Sequence, residues 1–336
     1  LGANRSKLAS ILVRFIRLDN EKSIGKRRYL EYAILECWKH NRKYYRRIGD
    51  IHIEGADKNM KKKKEKKLFC EICPLTYEIS KSKEICKRHI QDLTGKEKFS
   101  TLKQKEKLPN VVFSYSSTLI KKGKGIDPVL QKNKARNIRL ASAKINGLII
   151  RPGETFSFWK TVGKTTKRRG YRDGRIIIGD KLMPGLGGGL CNLGNTIHLL
   201  VLHSPLTVTE FHSHSDALAP DHGKRVPFSS GTSVSYNYID YRFKNNTDQN
   251  VQLLLWCEKG KLCGELRSEK EFPHYYEIIE ENHHFHQEKE KFFRISQIYR
   301  NVIDRSTGKI TDKELIRDNH SEVMYDYDQI PPELIR

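Results

Sequence analysis

The chain has 336 residues, of which 63 are lysine or arginine and 40 are aspartate or glutamate, and its formal net charge is +23. This length accommodates one large domain or two moderate ones, each with a real hydrophobic core, and the composition excludes a chain that is disordered overall. The seven cysteines form an odd set without a regular framework, which is typical of a reducing compartment rather than of a disulfide scaffold.

The N-terminal segment is predicted to be helical. Residues 6–18 and about 22–47 carry apolar side chains at helical spacing, and the first stretch is amphipathic. Arg14 and Arg17 interrupt its apolar run, which argues against an export signal or a membrane span. We therefore expect a cytoplasmic protein, or one lying peripherally on the inner face of the membrane. Residue 1 is leucine rather than methionine, so we expect either a non-standard start codon that was translated literally or an incomplete N-terminus. Only an incomplete N-terminus would allow an extracytoplasmic location.

Basic side chains are concentrated in the first third of the chain, most densely in the lysine-rich run at residues 61–67. Such a segment attracts polyanions, and an anionic membrane surface is the partner that we expect for it. The alternative is a solvated basic surface without a specific partner. No helix-turn-helix or RNP-like pattern is visible, so sequence-specific binding of nucleic acid is not expected.

Three cysteines and a histidine follow this run at the spacing of a zinc site. Two residues separate Cys70 from Cys73, and Cys86 and His89 repeat that spacing after a twelve-residue gap. Against zinc, the apolar positions predict a helix near residues 74–93, which would hold Cys73 and Cys86 about 20 Å apart. We therefore predict no metal and no cofactor. A zinc-dependent nucleic-acid binder is the alternative.

A further helix is predicted from Pro128 to Ile145. Asp127 is a typical N-cap, proline is favoured at the first helical position, and Gly147 ends the helix. Beyond residue 149 the pattern changes to that of strands, which we place at residues 155–159, 175–178, 206–211, 232–236, 241–243, 251–256 and 261–266.

This order of elements predicts an α+β fold, in which a helical basic N-terminal region precedes a largely antiparallel β domain with one buried helix carrying Cys191. We divide the chain into a basic helical region at 1–107, an α+β core at 108–272 and a C-terminal extension with a β-hairpin at 273–336. The histidine-rich residues 282–286 are interpreted as a solvated loop rather than a metal site.

The stretch Pro184–Asn192 contains four glycines in five residues and runs directly into an apolar helix. Glycine backbone adopts positive φ readily and approaches a ligand closely. Cys191 therefore lies where a helix begins, and the unpaired amides and partial positive charge of that end favour thiolate over thiol. The alternative interpretation is a small cysteine packed in the core.

Two histidines follow soon after. His212 and His214 come directly after the predicted strand at 206–211, which would bring them to a sheet edge beside the start of the helix. A cysteine and a histidine brought together by the fold form the minimal arrangement of nucleophile and base.

A hairpin turn separates Cys257 from Cys263. A two-residue loop at Lys259 and Gly260 would place the two thiols on different faces of the sheet, whereas a three-residue loop would pair them directly. The sequence leaves both arrangements open.

Several motifs occur together and in order across about residues 108–267: Arg151–Trp159, Val162–Lys164, Arg169–Tyr171, the glycine-rich loop with Cys191, His214–Ser215 and Lys244–Asp248. In this order they resemble the motifs of the VanW family, which is associated with accessory proteins of glycopeptide (vancomycin) resistance. Related domains in exported proteins are linked to cysteine-dependent L,D-transpeptidation. The resemblance implies that the partner of this chain is a peptidoglycan stem peptide or a cell-wall precursor.

The resemblance also implies that Cys191 is the acyl-accepting nucleophile of an L,D-transpeptidase or amide acyl-transferase. We expect His214, with His212 as its substitute, to take the thiol proton, and Asp216 or Asp221 to orient the imidazole.

The expected substrate-binding residues are Gly187, Gly188, Gly189, Asn192 and Arg225. Backbone amides from Gly189 to Asn192 would hold the developing oxyanion. Arg225 would pair with a stem-peptide carboxylate, or would be an ordinary loop arginine.

Some positions depart from the family pattern. Asn192 stands where members commonly have glutamine, and Gly194 and Asn195 stand where serine or threonine is common. In addition, an inner location conflicts with peptidoglycan cross-linking, which takes place outside the cell. A non-catalytic module that binds peptidoglycan precursors or a partner protein is therefore the alternative function.

Overall fold

The computed structural model describes residues 68–120, 127–178, 181–213, 217, 220 and 232–336. The helices expected at 6–18 and 22–47, and the lysine-rich run at 61–67, lie outside these residues. Two compact units are distinguished, at residues 1–86 and 87–336. Every helix among the described residues is too short or too polar to span a bilayer.

The described residues form four α-helices and twelve β-strands. The helices are α1 (Pro74–Thr94), α2 (Pro128–Ile145), α3 (Phe158–Val162) and α4 (Leu190–Leu202). The strands are β1 (Asn110–Thr118), β2 (Leu148–Ile150), β3 (Thr155–Ser157), β4 (Asp173–Ile178), β5 (Lys181–Leu186), β6 (Thr207–Glu210), β7 (Arg242–Lys244), β8 (Val251–Glu258), β9 (Lys261–Ser268), β10 (His274–Glu288), β11 (Lys291–Asp304) and β12 (Ile310–Glu322).

The strands form four antiparallel sheets, so a mixed fold with antiparallel strands is confirmed. Their orders are β1-β9-β8-β2, β3-β7-β6, β10-β11-β12 and β4-β5. Strand residues outnumber helical residues over the described part of the chain.

The hydrophobic core lies between α2, α4 and the first two sheets. Its aromatic centre is formed by Phe156, Phe158, Tyr241 and Phe243, each fully buried. The apolar side chains of α4 fill the space beside it, and Leu193, Ile197, Leu200 and Val201 are completely buried. The predicted buried helix is therefore confirmed, and the core fixes its orientation.

The predicted capping of α2 is confirmed. The carboxylate of Asp127 accepts hydrogen bonds from the amides of Val129 and Leu130, at 2.7 and 3.2 Å. Gly147 follows the helix with φ of +81°, a conformation that favours glycine. Helix α1 also agrees with the predicted helix near 74–93.

Several strand predictions need correction. β1, β2 and β5 were not predicted, and residues 232–236 form isolated bridges, Thr232 with Ser213 and Ser235 with Ile239, instead of a strand. The strand expected at 155–159 ends at Ser157, because the Ser157 hydroxyl accepts a hydrogen bond from the Lys160 amide and thereby caps α3.

The C-terminal extension contains the expected hairpin, formed by β11 and β12, and a further long strand, β10, that pairs with β11. The interpretation of residues 282–286 as a loop is wrong, because they lie within β10. The hairpin near Cys257 has the two-residue loop, with Cys257 opposite Leu262 and Trp256 opposite Cys263. The two thiols therefore lie on different faces of the sheet.

Candidate functional site

The glycine-rich loop before α4 is built by close backbone packing. A side chain on Gly188 would collide with the backbone of Gly174, and one on Gly174 would collide with Gly188. The fully buried Asn137 links the same two segments, because its amide donates to the carbonyl oxygens of Arg172 and Gly188 at 2.9 and 3.0 Å. These contacts hold the loop against β4 and α2.

Two neighbouring glycines have left-handed backbone. Gly187 and Gly189 have φ of +79° and +93°, and Gly189 is the N-cap of α4. The space beside them is already occupied, by Thr165 at Gly187 and by Lys134 at Gly189. Local backbone geometry and packing therefore account for both glycines.

Cys191 is the second residue of α4 and is partly exposed. Burial of the sulfur raises the pKa of the Cys191 thiol, while hydrogen bonds from the backbone of Val234 and of Cys191 itself act in the opposite direction. The expected shift toward thiolate is wrong, because desolvation of the sulfur outweighs the hydrogen bonds that favour the thiolate.

The Asn192 backbone amide has a partner. It donates to the carbonyl oxygen of Gly189 at 3.1 Å, and the side-chain Oδ1 accepts from the Ser117 hydroxyl at 3.2 Å. An oxyanion donor was predicted here, but in this structure the amide is committed to the first turn of the helix. Asn192 instead connects α4 to β1.

Asn195 lies one turn after Cys191 and shares its side of the helix. Its side-chain Oδ1 is buried and has no hydrogen-bond partner among the residues that the structure describes. A buried acceptor without a donor is uncommon, and it provides a group that a bound ligand could satisfy. Asn195 is a departure from the family pattern that was not predicted as a site residue, although its i+4 spacing from Cys191 could have indicated it.

His212 is held by the carboxylate of Glu210, which was not predicted as a site residue. Its Nε2 lies 2.9 Å from Oε1 of Glu210, at the end of β6. The guanidinium of Arg88 donates two hydrogen bonds of 2.6 Å to the Glu210 carboxylate, and the Asp240 amide donates another at 3.1 Å. These donors fix Glu210 and thereby the imidazole.

The segment 232–235 contacts both the helix and the histidine. The Ser233 amide donates to the His212 carbonyl oxygen at 2.6 Å, and Val234 donates to the Cys191 sulfur. Thr232 packs closely against Gly194 in α4. Within the described residues, no hydrogen bond joins the Cys191 sulfur to the His212 ring, so the segment is what connects them.

A buried charge network lies beside Glu210 at the end of β6. Asp240 accepts from the Ser157 hydroxyl at 2.5 Å and from Nε of Arg242 at 2.7 Å, and Arg242 also pairs with Asp92 at 2.8 Å. Burial raises the pKa of Asp240, against the opposing effects of Ser157 and Arg242. The network joins α1 to β7 and fixes the strand beside Glu210.

Four predicted site residues, His214, Asp216, Asp221 and Arg225, lie outside the described residues. The structure therefore places Cys191, Asn192 and the three glycines, Gly187, Gly188 and Gly189, at the start of α4, and it places His212 after β6, where residues 232–234 link it to Cys191. Among the described carboxylates, Glu210 contacts the His212 ring.

The zinc candidate residues are spread along helix α1 and the stretch before it, where Cys70 lies in a short 3-10 helix at Phe69–Glu71. Cys73 immediately precedes the helix, and Cys86 and His89 lie within it. At 1.5 Å per residue the helix holds Cys73 and Cys86 about 20 Å apart. Over the described part of the chain, no group of three or more His, Cys, Asp or Glu side chains could hold a metal ion.

Comparison with known proteins gives a family match. A family model described as VanW like protein matches residues 133–267. Vancomycin B-type resistance protein VanW of Enterococcus faecalis is 29% identical over 218 residues, which cover 65% of this chain and 79% of that protein. The uncharacterized protein YoaR of Bacillus subtilis is 32% identical over 120 residues, which cover 36% of this chain and 38% of that protein. No solved structure matches the chain at a significant level.

Proposed function

Because this chain belongs to the VanW family through its domain at residues 133–267, we propose that it is an accessory protein of glycopeptide resistance that acts on or binds peptidoglycan or its precursors. The link to glycopeptide antibiotics rests on the name of the Enterococcus faecalis relative, which is a vancomycin resistance protein. One observation carries the location of the site: the partly exposed Cys191 lies in the first turn of α4, and the segment at 232–235 that contacts it also bonds to the His212 backbone.

Acyl transfer is the catalytic form of the proposal. The Cys191 sulfur would form a bond to a carbonyl carbon of the stem peptide, its proton would pass to a histidine, and the amine released from that carbonyl would leave with a proton. His212 is suited to this role because Glu210 holds its Nε2, while no hydrogen bond to its Nδ1 comes from the described residues. The resulting thioester would then be transferred to an amine or to water.

Binding without turnover is the second form, and two observations favour it. The raised pKa of the Cys191 thiol keeps it protonated at neutral pH, and the Asn192 amide is already hydrogen-bonded to Gly189. In this form Oδ1 of Asn195, which lacks a partner within the described part of the chain, accepts a hydrogen bond from a peptide amide of the ligand.

The experiment uses the full chain and a soluble muramyl pentapeptide. Intact-mass spectrometry detects an acyl adduct, and calorimetry measures binding for the wild type, Cys191→Ala and Cys263→Ala, whose cysteine lies in β9. Acyl transfer predicts an adduct on the wild type and on Cys263→Ala that is absent from Cys191→Ala. Binding alone predicts heat of binding in all three proteins with no adduct. If neither an adduct nor heat of binding is observed with any of the three proteins, the proposal is overturned.

A further inference from the structure

Three bulky apolar side chains are exposed at the start of α1. Phe69 belongs to the 3-10 helix that precedes α1, Ile72 lies between the two helices, and Leu75 lies in the first turn of α1. Each of them is more than half exposed. Single exposed apolar residues are common on protein surfaces, whereas a cluster of them marks a contact with a protein or a membrane. We call these three residues the α1 apolar patch.

The lysine-rich run lies next to this patch in the sequence. Residues 61–67 contain six lysines and one glutamate, and Phe69 follows the last of these lysines by two positions. The first half of α1 adds no net charge, because two lysines and two glutamates balance each other between Pro74 and Glu84. The positive charge beside the patch therefore comes from residues 61–67. Such a run is attracted to membranes with anionic headgroups and to other polyanions.

The apolar patch distinguishes between these polyanions. Proteins hold single-stranded nucleic acid with cationic groups and with aromatic rings that stack on the bases. Two of the three patch residues, Ile72 and Leu75, are aliphatic and offer no ring for stacking. The boundary between headgroups and acyl chains of a bilayer, in contrast, accepts aliphatic and aromatic side chains alike. The patch and the lysines together therefore favour a membrane.

We propose that residues 61–75 attach this protein to an anionic membrane surface, with the lysines at the headgroups and the α1 apolar patch inserted at the boundary with the acyl chains. Stable attachment to a membrane surface generally needs two signals, and a polybasic run beside an apolar anchor supplies both. The sequence alone predicted attraction by charge, and the exposed apolar patch adds the inserted part. This inference is independent of the function proposed for Cys191.

Vesicle sedimentation with the full chain tests the partner. One probe is a vesicle that contains phosphatidylglycerol and phosphatidylcholine in equal amounts, and the control is a vesicle of phosphatidylcholine alone. We expect binding to the mixed vesicle to be at least about tenfold tighter than binding to the control, and to weaken as sodium chloride is added. No saturable binding to the mixed vesicle would overturn the proposal.

Substitutions in the patch test insertion. A variant with Phe69→Ser and Ile72→Ser should bind the mixed vesicle at least about tenfold more weakly than the wild type. Val129→Ser is the control, because Val129 is an exposed apolar residue in the first turn of α2, and it should bind as the wild type does. If the double variant binds as tightly as the wild type, the lysines attract polyanions in general, as they would a nucleic acid, and the proposal is overturned.

Substitutions of lysine test the electrostatic part. Three lysines of the run are replaced together by glutamine: Lys62, Lys63 and Lys64. The control replaces three exposed lysines in hairpin turns by glutamine and has the same net charge: Lys259, Lys289 and Lys309. The first variant should bind the mixed vesicle at least about tenfold more weakly than the second. Equal binding by the two variants would overturn the proposal.

Cys73 lies between Ile72 and α1 and is exposed, so its thiol reports insertion in the unmodified chain. Saturating mixed vesicles should slow the modification of Cys73 by iodoacetamide severalfold. The rate at Cys263 in β9 should stay the same. Peptide mapping of a quenched time course measures both rates and requires no variant. An unchanged rate at Cys73 in the presence of bound vesicles would overturn the proposal.

Discussion

The Nε2 atom of His212 lies 2.9 Å from Oε1 of Glu210, and the Arg88 guanidinium binds the same carboxylate through two hydrogen bonds. The side chain of Glu210 is only 14% exposed, whereas that of His212 is 39% exposed. A buried carboxylate that is fixed from one side by arginine orients an accessible imidazole on the other. This is the relationship expected of a positioning residue beside a histidine base.

Replacing Glu210 by glutamine should destabilise the fold by about 3 kcal/mol, because Arg88 would lose its anionic partner in a largely buried position. Urea unfolding at neutral pH measures the change. Glu290→Gln is the control, since Glu290 is exposed in the turn between β10 and β11. If both variants unfold at the same urea concentration as the wild type, the ion pair between Arg88 and Glu210 does not stabilise the fold.

Replacing Gly188 by alanine should destabilise the fold by roughly 3 kcal/mol, because the added methyl group would collide with the backbone of Gly174. Gly153→Ala is a suitable control: its φ is +78°, but nothing lies within 4 Å of the added carbon. That variant should lose only about 1 kcal/mol through backbone strain. Equal losses in thermal unfolding would show that close packing is not the reason for Gly188.

The cysteines should react in a defined order. Hydrogen bonds from the backbone and side chain of Thr76 lower the pKa of the exposed Cys73 thiol, whereas burial raises that of Cys191. At pH 7.5 iodoacetamide should therefore modify Cys73 first, and the rate at Cys191 should still be rising above the pH at which an ordinary thiol ionises. Peptide mapping of a quenched time course measures both rates. Modification of Cys191 as fast as Cys73 would be inconsistent with its burial.

The buried His198 should make stability depend on pH. Its pKa is about 3 in the folded chain against an ordinary value of 6.5, so below 6.5 the unfolded chain takes up a proton that the folded chain does not. Stability should fall as the pH falls from 6.5 toward 3. Between pH 6.5 and pH 5 the wild type should lose about 2 kcal/mol more than His198→Phe. Identical pH profiles in urea unfolding would rule out a buried neutral imidazole.

Elements set by local signals were predictable from the sequence. Helix α2 is the clearest case, because Asp127, Pro128 and Gly147 act within a few residues of its ends. Strand β1 was missed although its residues alternate in burial, because its partner β9 lies about 150 residues further along the chain. The residues of β1 alone carry no signal that identifies so distant a partner strand.

In the candidate site too, features set by neighbouring residues were predictable and features set by distant residues were not. The position of Cys191 at the start of a buried helix was predictable from the glycines and the apolar run. Its raised pKa was not predictable, because it depends on how far the fold buries the sulfur, which the residues next to Cys191 in the sequence do not specify. Glu210 was also missed, since its contact with His212 depends on how β6 ends and on Arg88 in a distant helix.

The location of the functional site is the central claim, and hydrogen exchange with mass spectrometry tests it most directly. Exchange is compared in the full chain with and without a saturating soluble muramyl pentapeptide. Binding at Cys191 should slow exchange in residues 187–195 and 232–236, because these segments surround the thiol and Asn195. Unchanged exchange in both segments at saturation would contradict the assignment of the site to Cys191.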